Sequence, residues 1–101
     1  MKRWSVLLML TAAVLMSGAV SIAATATKEK PLKVALILPG KKDDVSWNQA
    51  MYESAKALEK KLGDKGKVTI TENVYEVADI EPALRDFASE GYDVIIGHGF
   101  Q

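Results

Sequence analysis

Few residues in this chain have the chemistry of a functional site, and most of them fall in one short stretch. Trp47 offers a flat aromatic face on which a ring or a sugar can stack, and Asn48 beside it can donate and accept at once. Asp43 and Asp44 precede them and can accept hydrogen bonds from ligand hydroxyls. Each has a structural reading as well. Trp47 is in phase with Met51 and Leu58 and so fits an apolar helix stripe, Asn48 fits a solvated first turn, and the two aspartates fit loop charges favoured near a helix N-terminus. His98 is the only histidine. No metal-ligand spacing surrounds it, so it reads as a strand-end residue lining a cleft, and Gly97 and Gly99 beside it permit close backbone approach. No glycine-rich phosphate loop follows the first apolar run, and there is no nucleophile elbow. The chemistry on offer is binding by stacking and hydrogen bonding, without covalent steps and without a cofactor.

These residues need a scaffold, and the hydrophobic pattern supplies one. Lys33 to Leu38 is apolar from Val34 on without alternation, which predicts a strand buried on both faces and ended by Pro39-Gly40. A helix is expected over Ser46 to Leu62. Ser46 with Gln49 forms a capping box, Trp47, Met51, Ser54, Leu58 and Leu62 form an apolar face with Ala50, Ala55 and Ala57 alongside, and Gly63 supplies the stop. Lys67 to Val74 alternates, as an edge strand does. A second helix opens at Asp79, with Pro82 in its first turn, buries Ile80, Leu84, Phe87 and Ala88, and ends at Gly91. Tyr92 to Gly97 is the third strand, again consecutively apolar through Val94, Ile95 and Ile96. The β-α-β-α-β order with an alternating second strand predicts an α/β fold, a three-layer doubly wound parallel sheet in the order 2-1-3. Ligands bind such sheets at the carboxyl ends of the strands, where the loops 39–45, 73–78 and 97–101 converge. A third strand buried on both faces needs a further neighbour, so the sequence reads as the N-terminal piece of a longer protein.

The chain has 101 residues and a formal net charge of zero. Lys2 and Arg3 are followed by an uncharged run to Thr27, apolar at Val6 to Met16 and small at Ser21 to Ala26. That is the pattern of a secretory signal peptide over residues 1–26, with cleavage after Ala23 or Ala26. An uncleaved membrane anchor is the competing reading of the same run. Residues 27–32 read as a tether and 33–101 as the folded part. Of thirteen basic residues Lys2 and Arg3 fall in the leader, leaving eleven against thirteen acids, a mature net charge of −2. There is no basic arm or patch for nucleic acid. With no cysteine there is no disulfide framework, no thiolate metal site and no lipid-modified cysteine. A secreted chain of this kind fits a bacterial periplasm.

Asp44-Val45-Ser46-Trp47-Asn48 followed by Tyr52-Glu53 resembles the D-x-S-[FW]-N…[YW]-E-G signature of the basic membrane protein family, the PnrA-like type 1 periplasmic binding proteins of ABC transporters. Glu72-Asn73-Val74, Leu84 to Ala88 and Gly91 to Phe100 are similar to the family's next strand regions, so the likeness covers Lys33 to Gln101. The resemblance implies a two-lobed binding protein of which this chain is the first half of the N-terminal lobe. Its ligand would be a purine nucleoside or related base, and its partners ABC permease subunits. By the same resemblance Trp47 is the stacking platform, Asn48 and Asp44 lie beside it, and Phe100 lies toward the hinge side of the cleft. The chain departs from the family twice. Leu38-Pro39-Gly40 stands where nucleoside-binding members often carry an Asp, and the lipobox cysteine of many members is absent. Other functions compatible with such a sheet are a ligand-sensing lobe of a surface or regulatory protein and a flavodoxin-like enzyme or signalling domain. Gly97-His98-Gly99 stands where a phosphoacceptor aspartate would be, and the leader conflicts with a cytoplasmic receiver.

Overall fold

The computed structural model describes residues 25–101. The leader pattern, and with it the competing anchor, lies almost wholly outside the described residues. The elements run β1 (Leu32–Ile37), α1 (Trp47–Leu62), a single 3-10 turn (Gly63–Lys65), β2 (Gly66–Thr71), α2 (Val77–Ser89) and β3 (Val94–Gly97). The sheet is parallel in the order β2-β1-β3. Leu32 to Ile37 pair with Gly66 to Thr71, and Val34 to Ile37 pair with Val94 to Gly97. The expected α/β topology is therefore the observed one.

The burial of β1 follows from its position. It has a strand on each side and a helix over each face, and Val34 through Leu38 are all buried. That is why its apolar residues are consecutive. On one face Val34, Leu36, Leu38 and Val68 pack with Ala55 of α1, and Met51, Tyr52, Ile70 and Ile96 close around them. This corrects the expected stripe of α1. Trp47, Ser54 and Leu58 are exposed, whereas Ala55 is buried as expected and Tyr52 turns inward. The sheet-facing line is rotated by about one position, because Tyr52, beside Met51 and Ala55, takes the sheet surface in place of Trp47 and Ser54.

The other face carries α2. Here Ala35 of β1 pairs with Thr69 of β2, and the hydroxyls of Thr69 and Tyr92 share a 2.7 Å hydrogen bond. Since Tyr92 leads into β3, on the far side of β1, its ring crosses the central strand where the side chain is a single methyl. Phe87 of α2 meets the Tyr92 ring edge-on at 4.8 Å, and Lys33 Nζ sits 4.4 Å from its centroid. The same lysine donates to the Glu90 carbonyl at 2.7 Å, at the negative end of the α2 dipole. Thr69 is thus half-buried and bonded, and the polar row of β2 is less wet than its alternation implies.

Some boundaries differ from expectation: β2 ends at Thr71, short of Val74, and β3 starts at Val94, after Tyr92. Helix α2 begins at Val77, so Pro82 falls in the second turn instead of the first. Glu76 holds extended backbone, and its carbonyl already accepts Asp79 N–H and Ile80 N–H. Strand β3 is only half-covered, with Val94 exposed, and its outer edge has no partner strand among the described residues. Gly63 ends α1 as expected, at φ +57°, with its N–H on the Glu59 carbonyl.

Candidate functional site

The parallel strands all end on one edge, and the loops there are tied together by backbone bonds. Leu38 N–H donates to the Thr71 carbonyl (2.8 Å), Val74 N–H to Leu38 (3.0 Å), Asn73 N–H to Gly40 (3.1 Å) and His98 N–H to Ile37 (3.0 Å). Lys42 adds a link, its N–H donating to Glu72 Oε1 at 2.8 Å and its ammonium lying 3.7 Å from Glu72 Oε2. The edge is therefore one connected surface.

Asp44 fixes how α1 enters this surface. Its Oδ1 accepts Ser46 N–H (2.9 Å) and Gln49 N–H (2.9 Å), and its Oδ2 accepts Asn48 N–H (3.1 Å). Charge-assisted bonds of this kind satisfy amides that a helix start leaves unpaired. The Gln49 amide bond is the largest cause holding the Asp44 carboxyl below its ordinary value of 3.8, with the Ser46 and Asn48 amides acting the same way. The expected capping box does not form, because Ser46 makes no side-chain cap bond and Gln49 Oε1 accepts the Val45 N–H at 3.0 Å. A carboxylate two residues upstream outcompetes the serine hydroxyl for the same amides. To let Asp44 reach them, Val45 takes φ +56°, a left-handed conformation that costs a β-branched residue energy.

With the helix start held this way, Trp47 is its first residue and stands at the surface, 46% exposed. Its indole stacks on the His98 ring at 3.6 Å and 28°, and on Phe100 at 5.7 Å and 11°. Phe100 is itself almost wholly exposed. Asn48 is half-buried against the β1 loop, so close that a Cβ on Gly40 would stand 2.6 Å from its Nδ2. Its Oδ1 is buried and has no hydrogen-bond partner among the described residues, and the same holds for His98 Nε2. The fold thus brings Trp47, His98 and Phe100 into one aromatic group, with Asp44 and Asn48 at the helix start beneath it. Asp43 is exposed in the loop. On the α2 side of the same edge lies an apolar groove of about 220 Å³, lined by Ile37, Pro39, Val74, Ile80, Leu84 and His98 among others. Its α2 residues were legible only as a helix stripe. Among the described residues no group of three or more His, Cys, Asp or Glu stands ready to hold a metal ion.

The fold is an α/β unit whose strand ends present an exposed aromatic beside hydrogen-bonding side chains. Residues 31–101 match the family model described as "ABC transporter substrate-binding protein PnrA-like", and the chain belongs to that family of solute-binding proteins, which is a non-enzyme class. The chain is similar to a purine-binding protein of Brucella abortus (strain 2308), 36% identical over 72 residues, covering 71% of this chain and 21% of that protein. It is also similar to the solved structure of an ABC transporter solute-binding protein from Conexibacter woesei, at a TM-score of 0.61 and 34% identity, covering 67% of this chain and 22% of that one. The chain therefore spans about a fifth of the length of each.

Proposed function

We propose that this chain is the opening part of the N-terminal lobe of an extracytoplasmic solute-binding protein that delivers a purine base or nucleoside to an ABC importer. The observation that carries the reading is the exposed Trp47 indole at the carboxyl edge of the sheet, next to the half-buried Asn48, in a chain similar to a purine-binding protein. On this reading the base stacks on Trp47, Asn48 pairs with a base edge or hydroxyl, and Phe100 flanks the stack. Asp44 acts at the helix start, where its carboxylate is already committed to backbone amides. A second lobe closes over the ligand, and closure is what the permease subunits recognise. Residues 1–26 serve as a cleaved signal peptide, residues 27–32 as a tether, and the mature protein is free in the periplasm without a lipid anchor. The step is capture and release, with no bond made or broken and no cofactor.

The test is calorimetric titration of the full-length protein that carries this chain with adenosine, guanosine, inosine, free purine bases, riboflavin and simple sugars. Saturable binding of a purine supports the reading. Binding of sugars or flavins alone, or no heat with any of the compounds, overturns it.

A further inference from the structure

Two rings lie against the Trp47 indole, and the structure treats them differently. Phe100 is 99% exposed. His98 is tied by its own N–H to the carbonyl of Ile37, the last residue of the central strand, and is half-buried. Its centroid is 3.6 Å from that of the indole, which is contact distance for stacked rings. Its Nε2 is buried and meets no acceptor or donor among the described residues. A buried imidazole nitrogen without a partner carries a cost, so hydrogen bonding by that atom does not explain where the ring sits. A ligand cannot reach that atom either, because it is closed to solvent. What the ring does make is the stack on Trp47, and it also lines the apolar groove together with Pro39 and Leu84.

We propose that His98 is a positioning residue for the Trp47 platform. It backs the indole at contact distance and fixes the ring's orientation for the docking of a base. This assignment rests on the stacking role of Trp47 proposed above. It has a specific consequence: the role belongs to the flat ring and not to its nitrogens. Phenylalanine at position 98 should therefore preserve the platform, whereas alanine should free the indole to change rotamer.

The experiment compares the full-length protein with His98→Ala and His98→Phe variants. Two readouts are taken: adenosine affinity by calorimetry, and the Trp47 part of the near-UV circular dichroism, isolated by subtracting the spectrum of a Trp47→Phe variant. The expected result is a weakened Trp47 band and about fivefold weaker adenosine binding in His98→Ala, within the range of a lost aromatic pair. Both are restored in His98→Phe, which is at least as heat-stable as the parent. An unchanged Trp47 band in His98→Ala overturns the proposal, and so does a His98→Phe variant that behaves like the alanine variant. If the parent protein does not bind adenosine, the stacking role of Trp47 fails separately, and the ligand-free spectra still decide whether His98 holds the indole.

Discussion

Substituting Gly40 by alanine should impair ligand binding while leaving the fold nearly as stable. Gly40 has no positive φ, so alanine fits its backbone. The added Cβ would stand 2.6 Å from Asn48 Nδ2 and 3.7 Å from Asn48 Cγ. Ordinary contact needs about 3.5 Å or more, so the amide must retreat by about 1 Å. It is the far end of a two-torsion side chain and can do so cheaply. Removing a glycine also restricts the unfolded chain, worth about 0.4–1 kcal/mol in favour of folding. The two effects oppose each other, and the net change in stability should stay within about 1 kcal/mol. Binding is less forgiving, since a displacement of about 1 Å takes the Asn48 amide out of hydrogen-bonding geometry. A lost hydrogen bond is worth about 0.5–1.5 kcal/mol, which is about twofold to twelvefold in affinity. Calorimetry of the full-length protein with its best purine ligand, alongside thermal unfolding, separates the two. Gly97→Ala is the matched control, because a Cβ there meets nothing within 4 Å. Equal ligand affinity in Gly40→Ala and the parent would refute the assignment of Asn48 to the site.

Two other perturbations follow from the geometry. Tyr92→Phe removes the hydroxyl that bridges to Thr69 across Ala35, and should lower stability by about 1 kcal/mol in denaturant unfolding with ligand affinity unchanged. Asp44 makes stability depend on acid: its folded-state carboxyl titrates below the ordinary 3.8, so its contribution is complete above that value and is lost as pH falls through the lowered one. The carboxylate is open to water and screened, so the expected signature is a shallow loss of melting temperature below about pH 4 that is reduced in Asp44→Asn, read by thermal unfolding across an acid pH series.

The sequence carries the topology because the elements have distinct burial regimes. Val34 to Leu38 are covered on every side and must all be apolar, and Val68 and Ile70 face a helix while Thr69 and Thr71 do not face the same one. Two features escape that logic. The sheet-facing line of α1 shifts because Trp47, at the first helical position, belongs to the strand-end loops and stacks on His98 and Phe100 from a different loop. No helical periodicity encodes a contact between residues fifty positions apart. The helix start departs from its expected cap for a related reason. A serine three residues before a glutamine has the form of a capping box, but Asp44 stands two residues before that serine and its ionised oxygens are the stronger acceptors. The Asp-x-Ser spacing was present as the signal. The Tyr92 bridge had none, because it depends on Ala35 lying beneath the ring on the neighbouring strand.

The most direct test of the account compares purine nucleoside binding by the full-length protein with binding by its Trp47→Ala and Trp47→Phe variants, measured by calorimetry under one set of conditions. If the base stacks on this indole, alanine should weaken binding by about tenfold or more, and phenylalanine should recover most of the loss, since it keeps a flat ring at the same helix position. Alanine and parent binding the nucleoside with equal affinity would contradict the central claim and place the ligand elsewhere on the strand-end surface.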